Sequence, residues 1–364
     1  MDMLNQVDKD LLEIQATLES IDVDFKALMG ELPSVGIESF SSASKGILET
    51  IWKFIQRVAA AIGRIFGLVG STSVTLRASI AAAERSLALY KGKQPRSGTV
   101  TLSHEVNQLL VANKVLNGPS EYTVAYKKLD DAINAVLKYH LPAVRSVSKS
   151  LGNIYNSKYT DNLTFLNDVV AAAQSVGIDK FVSVTRCRLV TNDKRFARTR
   201  PIYKGPDLIG NRSIFVDVPY LTVSGYASDY DRARQTADTR ISYIYSYGNV
   251  DRVGGEVDVR AGSYIDVKDM LGQLTNILNS IDKYPIDSLE KDIKTLEGAF
   301  SSLSSTMSRE EHTRNDERYL TVAGSILATF STWVSNPHTQ LITNSLAVTR
   351  ASVIMINRHL RNLA

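Results

Sequence analysis

The sequence has 364 residues, of which 44% are hydrophobic and 22% are charged, with a single cysteine and a net charge of +4. This composition excludes a collagen-like, a disulfide-stapled and a fully disordered chain. A chain of this length usually forms more than one packed unit, whereas a net charge this small says little about its partners.

Residues 1–45 are predicted to form an acidic helical leader followed by a Ser/Gly linker. Apolar side chains recur from Leu4 to Leu28 at alternating steps of three and four, a spacing typical of a long helix or a coiled-coil seam. Pro33, Gly36 and five serines in 30–45 predict a loop or linker after this helix.

Residues 46–180 are predicted to be the first part of a helical body. Apolar positions repeat at helical spacing, and Pro, Gly or Asn residues separate the segments. The predicted helices lie at about 47–69, 76–90, 103–116, 120–140, 142–156 and 161–176.

Residues 181–265 are predicted to be a β-rich insertion of about 85 residues, because apolar and polar residues alternate there, as in Ile214–Val218 and Ile241–Tyr247. Half of the 16 tyrosines lie between Tyr203 and Tyr264. Helical spacing resumes in 266–364, the second part of the body, at 270–281, 289–307, 316–335 and 338–363. The predicted fold class is α+β, mainly α: a multi-helix bundle with long heptad-patterned helices, interrupted by the β-rich insertion.

The sequence lacks the motifs of common catalytic sites. It has no phosphate-binding loop, no dinucleotide fingerprint and no Gly-x-Ser-x-Gly elbow, and its five histidines show no metal-ligand spacing. We therefore predict no catalytic, cofactor-binding or metal site and a protein that is not an enzyme. A hydrolase whose carboxylates converge only in the fold is the alternative. No signal peptide or transmembrane span is expected.

Charge is unevenly distributed along the chain. Residues 1–50 carry −7 and residues 51–100 carry +7. A second basic cluster opens the β-rich segment, with Phe196 and Tyr203 interleaved, and could neutralise phosphates and stack bases. A solvated strand face and loop would have the same composition. The candidate DNA-contacting residues are Arg186, Arg188, Lys194, Arg195, Arg198, Arg200 and Lys204.

The segment 51–69 is predicted to be a cationic amphipathic helix. Lys53, Arg57 and Arg64 lie opposite an apolar stripe, a pattern that suits a membrane surface or the groove of a partner protein. A bundle helix that buries the same stripe is the alternative. The candidate membrane or partner residues are Ile51, Trp52, Phe54, Ile55, Val58, Ile62, Ile65 and Phe66.

The acidic leader, the linker and the segment Ile51–Phe66 together resemble the internal head proteins of giant tailed bacteriophages. The resemblance implies a virion protein that is packed inside the capsid with DNA and that loses an N-terminal propeptide to a prohead protease. Cleavage in such phages follows a glutamate two positions after a small residue, or after Leu or Ile. Gly36-Ile-Glu38 and Ile47-Leu-Glu49 fit these patterns, so Glu38 and Glu49 are the candidate cleavage residues.

The predicted function is that of a non-enzymatic structural virion protein, made in the host cytoplasm and located inside the phage head. Its expected partners are DNA, other virion proteins and a prohead protease. A second hypothesis is a membrane-active or partner-docking protein that acts through helix 51–69. The heptad seams also leave open a homo-oligomer in which helices pair between chains. Cleavage after Glu38 would remove nine acidic and two basic side chains and leave a body of +11.

Overall fold

A computed structural model describes residues 2–31, 40–112, 114–159, 161–176, 185–187, 202–219, 228–245, 256–309 and 314–363. The described chain is mainly helical, with short antiparallel strands. In chain order the elements are α1 (Asp2–Glu31), α2 (Phe40–Ala88), β1 (Thr99–Leu102), α3 (His104–Leu110), α4 (Pro119–Ala135), a π-helical turn (Val136–His140), α5 (Leu141–Tyr155), α6 (Asn162–Gln174), β2 (Thr185–Cys187), β3 (Ile202–Lys204), β4 (Arg212–Asp217), α7 (Asp229–Ala237), β5 (Arg240–Tyr245), β6 (Val257–Arg260), α8 (Tyr264–Ile281), α9 (Ile286–Arg309), α10 (Arg314–Ser335) and α11 (His338–Leu363).

Helix α2 is the spine of the body. It has 49 residues, and it packs against α1, α8, α9, α10 and α11. The sequence predicts two helices here, at 47–69 and 76–90, preceded by a linker that reaches residue 45. The structure instead has one helix that begins at Phe40. Gly67 and Gly70 do not break it, because the apolar stripe continues through Leu76 and burial outweighs a helix penalty of about 1 kcal/mol per glycine.

Helix α11 lies at the centre of the fold and contacts α1, α2, α3, α4, α8 and strands β1 and β5. Helices α10 and α11 include a long stretch without Asp, Glu, Lys or Arg, from Tyr319 to Thr349, and most of this stretch is buried. The predicted spans 316–335 and 338–363 agree with these two helices to within two residues.

Two of the predicted helix boundaries within residues 103–156 differ from those in the structure. Helix α3 ends at Leu110 rather than near 116, because Val111 is extended and its carbonyl oxygen accepts the backbone N–H groups of Gly210 and Asn211 at 2.8 and 2.9 Å. The predicted break near residue 141 is absent. Pro142 lies in the first turn of α5, where its missing N–H is tolerated, and the π-helical turn joins α4 to α5.

The described strands form two antiparallel sheets, one in the order β2-β3-β4-β5 and one that pairs β1 with β6. The last strand of the predicted β-rich segment 181–265 is β6, which pairs with β1 from outside that segment. The segment also contains helix α7. Ser228 caps this helix by accepting the N–H of Asp231. The larger sheet is joined to the helical body where Gln340 of α11 accepts the N–H of Tyr243 at 2.9 Å.

Candidate functional site: the interface of helix α1 with the body

Helix α1 lies antiparallel on α2 through an apolar seam. Phe25 contacts Phe54 with ring centroids 5.5 Å apart, and Arg240 of β5 lies 4.9 Å from the Phe25 ring centroid. Five apolar side chains that face α2 are buried, at steps of seven, seven, four and three, whereas Leu12 on the outer face is 67% exposed. The buried set is Val7, Ile14, Ile21, Phe25 and Leu28.

Carboxylates of α1 pair with arginines of the body on both sides of this seam. Glu13 accepts Arg64 Nη2 at 2.6 Å and Nε at 2.7 Å, and Asp24 accepts Arg57 Nη1 at 2.9 Å. Asp8 accepts Arg350 of α11. Three cations of the body are therefore neutralised by three carboxylates of the leader helix.

Asp10 provides a polar anchor within the same interface. It is buried, and it accepts hydrogen bonds from Gln6 Nε2 at 2.7 Å, Ser71 Oγ at 3.0 Å and Thr72 Oγ1 at 3.2 Å. A buried carboxylate without such donors would be costly, so these contacts fix the register of α1 on α2.

The apolar stripe of 51–69 is covered by neighbouring helices. Each of its members from Ile51 to Val69 is buried, and Trp52 at its edge stacks on Phe300 of α9 with ring centroids 5.5 Å apart. Of the described helices, α2 is long and apolar enough to cross a membrane by length and composition, over Glu49–Ala88. Core helices of soluble proteins pass the same test, and the covered stripe favours the interpretation as a bundle helix.

The basic cluster predicted to contact DNA lies largely outside the described residues, which do not include Arg188, Lys194, Arg195, Arg198 and Arg200. Arg186 belongs to β2, and its backbone pairs with Tyr203 of β3. Lys204 forms an ion pair with Asp207 at 2.6 Å, and both side chains are largely buried.

A cleft of about 510 Å³ between the start of α4 and the β3–β4 hairpin is lined by Glu121 and Asp207. Each carboxylate is held by a lysine: Lys114 donates to Glu121 at 2.9 Å, and Lys204 pairs with Asp207. Hydrogen bonds from the N–H of Asn117 and from Lys114 lower the pKa of Glu121, whereas a general acid needs a raised pKa. Within the described ranges, no group of three or more His, Cys, Asp or Glu could hold a metal ion.

A family model described as phiKZ-like phage internal head proteins matches residues 2–358. The chain belongs to this family. The match spans the leader helix, the body and the strands, and it confirms the resemblance inferred from the first 70 residues. Comparisons with curated proteins and with solved structures returned no match. As a phage internal head protein, the chain is a structural component of the virion, located in the interior of the head.

The two candidate cleavage residues of this internal head protein lie in different settings. Glu38 falls in 32–39, between α1 and α2, and lies outside the described residues. Glu49 lies within α2, where it is exposed and pairs with Lys53 at 2.7 Å. The hydrogen bond from Lys53 and its charge lower the pKa of Glu49.

Sequence reasoning identified the acidic leader and the basic segment after it, but not the pairs that join them. The opposite charges of 1–50 and 51–100 could have indicated a pairing. The antiparallel register and the participation of Arg350, near the other end of the chain, depend on the fold.

Proposed function

We propose that this structural protein is packed with DNA inside the phage head, has no catalytic role, and carries an acidic leader helix that holds body cations in ion pairs until a prohead protease cuts the chain. The supporting observation is the set of contacts from Asp8, Glu13 and Asp24 to Arg350, Arg64 and Arg57. A cation already paired with a carboxylate contributes little to the counterion release that drives association with phosphates.

We prefer Glu38 as the cleavage residue because the other candidate, Glu49, lies within helix α2 and pairs with Lys53. Proteases generally bind substrate chains in an extended conformation. The main-chain N–H and C=O groups of the substrate must then be free to hydrogen-bond to the enzyme, whereas those of a helix are bonded to each other. Cleavage after Glu38 would leave α2 intact and would break the covalent connection between α1 and the body.

A cut alone does not detach α1. Its five buried apolar side chains each contribute about 1.5–3 kcal/mol of burial free energy before the entropy of ordering is subtracted. Before the cut, the covalent connection through residues 32–39 raises the effective concentration of α1 near α2. Once that connection is cut, α1 competes with DNA for the body as a separate peptide. Displacement by packaged DNA is then the step that releases the arginines from their ion pairs with α1.

The proposal that the carboxylates of α1 mask body arginines from DNA can be tested without removing α1. A full-length variant with Asp8→Asn, Glu13→Gln and Asp24→Asn frees the three arginines and leaves the apolar seam in place. A matched control neutralises three exposed carboxylates of the body with Glu105→Gln, Asp131→Asn and Asp269→Asn. Both variants change the net charge equally. Binding to a nonspecific DNA duplex is measured over a series of salt concentrations.

We expect the leader variant to bind more tightly than the control and its salt slope to steepen by about 2.7, which is about 0.9 for each of three phosphates. Equal binding by the two variants would contradict the masking of these arginines. Separately, mass spectrometry of the protein from mature heads is expected to find Ser39 as the first residue. An N-terminus at Met1 or Asp2 would contradict the processing step.

The alternative function, membrane or partner docking by helix 51–69, requires α1 to leave first, because α1 and the other neighbours of α2 cover the apolar stripe. No contact among the described residues favours it over the proposal above. Flotation of the full-length chain with anionic vesicles, beside the Phe54→Asp variant, tests it directly. Flotation that depends on Phe54 would support this alternative.

A further inference from the structure

A second group of cations comes together where α2 and α11 both end. The turn after α2 is joined to the end of α11 by two hydrogen bonds: the N–H of Arg96 donates to the carbonyl oxygen of Asn362 at 2.8 Å, and the N–H of Ser97 donates to Asn362 Oδ1 at 3.0 Å. Arg358 donates to the carbonyl oxygen of Thr101 at 2.5 Å. We call this group the basic corner, and it consists of Arg85, Lys91, Lys93, Arg96, Arg358 and Arg361.

The basic corner is poor in carboxylates. The sequence has no Asp or Glu between Arg85 and Gly98, and none after Glu317. In the part of the chain that the structure describes, Arg85, Lys91, Lys93 and Arg361 are exposed and form no ion pair. The adjacent strand β6 contributes Asp258, which accepts the hydroxyl of Thr101 at 2.6 Å. The six cations of the corner thus outnumber the two exposed carboxylates beside them, Asp258 and Glu84, which precedes Arg85.

The turn that carries the lysines has a defined shape. Gly92 adopts a φ of +81°, a left-handed conformation that other residues rarely adopt, and it separates Lys91 from Lys93. The Nζ atom of Lys93 lies 5.3 Å from the centroid of the Tyr90 ring. The two lysines are thus held on an ordered turn beyond the last turn of α2.

Helix α1 does not reach the basic corner. In the antiparallel pairing Asp24 lies opposite Arg57, Glu13 opposite Arg64 and Asp10 opposite Ser71 and Thr72. By this register α1 begins opposite about residue 80 of α2. The leader therefore does not cover the corner in the uncut chain, whereas it forms ion pairs with Arg57, Arg64 and Arg350.

A purely structural role would also favour cations here. Lys and Arg near a helix C-terminus offset the partial negative charge of its free carbonyl groups, and both α2 and α11 end at the corner. That role accounts for Arg85, Arg358 and Arg361, which lie in or near the last turns. It does not account for Lys91 and Lys93, which follow the end of α2 on the turn.

We propose that the basic corner binds the phosphate backbone of DNA, without reading base sequence, and does so before the leader is cut. The choice of DNA as the partner rests on the proposed function. The location of the binding site and its independence of the leader rest on the contacts described above. The corner provides the first contact with DNA, and the arginines that are paired with α1 add further contacts after processing. Such contacts to phosphates release counterions and therefore depend strongly on salt.

The test uses the uncut full-length chain and a nonspecific DNA duplex. The corner variant carries Lys91→Gln, Lys93→Gln and Arg361→Gln. The matched control carries Lys149→Gln, Lys158→Gln and Lys294→Gln, which are exposed lysines on α5, in the segment after α5 and on α9. The two variants have the same net charge. Affinity is measured from 50 to 200 mM salt, and thermal unfolding of each variant is recorded.

We expect the salt slope of the corner variant to fall by about 2.7, or 0.9 for each lost phosphate contact, while the control keeps the slope of the unsubstituted chain. Equal losses in both variants would overturn the proposal, because net charge rather than position would then decide binding. A lower melting temperature of the corner variant with unchanged DNA binding would assign these cations to helix stability alone and would also overturn it.

The same variants are tested by flotation with phosphatidylserine vesicles. Binding to vesicles but not to DNA would overturn the choice of partner. Failure of the leader proposal can be distinguished from failure of this one. The leader proposal is tested with variants of Asp8, Glu13 and Asp24, whereas the corner is tested in a chain whose leader is unsubstituted. A corner-dependent slope with no effect of the leader variant would retain this inference and reject masking.

Discussion

Helices α1 and α11 have similar apolar spacing but opposite positions in the fold. Helix α1 lies at the surface, packs chiefly against α2 and leaves Leu12 and Val23 more than 60% exposed. Helix α11 is enclosed on most sides, and even its small polar residues are buried. A repeated apolar seam therefore identifies a packed helix, and the residues outside the seam indicate how deeply that helix is buried.

The residues outside the two seams explain the difference. Helix α1 has Asp and Glu there, which remain near solvent or pair with arginine. Helix α11 has Ser345, Thr349 and Ser352, whose hydroxyl groups donate to the carbonyl oxygens four residues earlier at 2.7, 2.8 and 2.7 Å. A hydroxyl satisfied within its own helix can be buried, whereas an unpaired carboxylate cannot.

The largest effect should come from opening a cavity in each helix. Leu346→Ala in α11 is expected to lower the free energy of unfolding of the whole protein by about 2–5 kcal/mol, because the residue is fully buried at the centre. Leu28→Ala in α1 should mainly loosen α1. Urea unfolding gives the global value, and hydrogen exchange of α1 amides gives the local one. Equal global losses would show that α1 is as integral to the core as α11.

A loss of stability at acid pH should further distinguish α11 from α1, because α11 carries two buried histidines. Burial lowers the pKa of His338 and His359 on α11 to about 4, although the nearby Asp266 raises that of His359 in part. His338 also donates to the carbonyl oxygen of Val334 and lies against His140 and Tyr284. Burial and the neighbouring His338 lower the pKa of His140 as well.

The unfolded chain binds protons to these histidines below about pH 6.5, while the folded chain does not until about pH 4. Stability therefore falls as the pH falls through this window, by about 2 kcal/mol per histidine between pH 7 and pH 5. His338→Gln and His359→Gln should each reduce this dependence, measured as the change in unfolding free energy between the two pH values. His104→Gln, at a partly exposed site on α3, is the control. Identical pH dependence in all four proteins would refute a role for the buried histidines.

The smallest effect should come from the exposed ion pair of Glu13 with Arg64. A double-mutant cycle with Glu13→Gln and Arg64→Gln is expected to give a coupling energy of about 0.2–1 kcal/mol that declines with added salt. The coupling energy is calculated from the free energy of opening of α1, which hydrogen exchange measures in each variant. A coupling that does not change with salt would show that the pair is shielded from solvent and contributes more to holding α1 than its exposure implies.

Much of the helical content could be predicted from the sequence, because apolar spacing reports directly which face of a helix is buried. The spans of α10 and α11 followed from this spacing. The continuity of α2 did not, since Gly67 and Gly70 are local helix breakers whose cost is offset only by packing against other helices. The early end of α3 was also beyond local reasoning, because it depends on a hydrogen bond to Gly210, about 100 residues later.

Composition and local periodicity specify the charge contrast between leader and body and the mainly helical character. The family was inferred from a resemblance of the first 70 residues and is shown by the family model that matches residues 2–358. Which cations form ion pairs with the leader depends on the tertiary structure. Arg57, Arg64 and Arg350 are paired with α1, while Lys91, Lys93 and Arg361 are exposed together at the basic corner. This division depends on the antiparallel register of α1 and on contacts between distant parts of the chain, which no local pattern specifies.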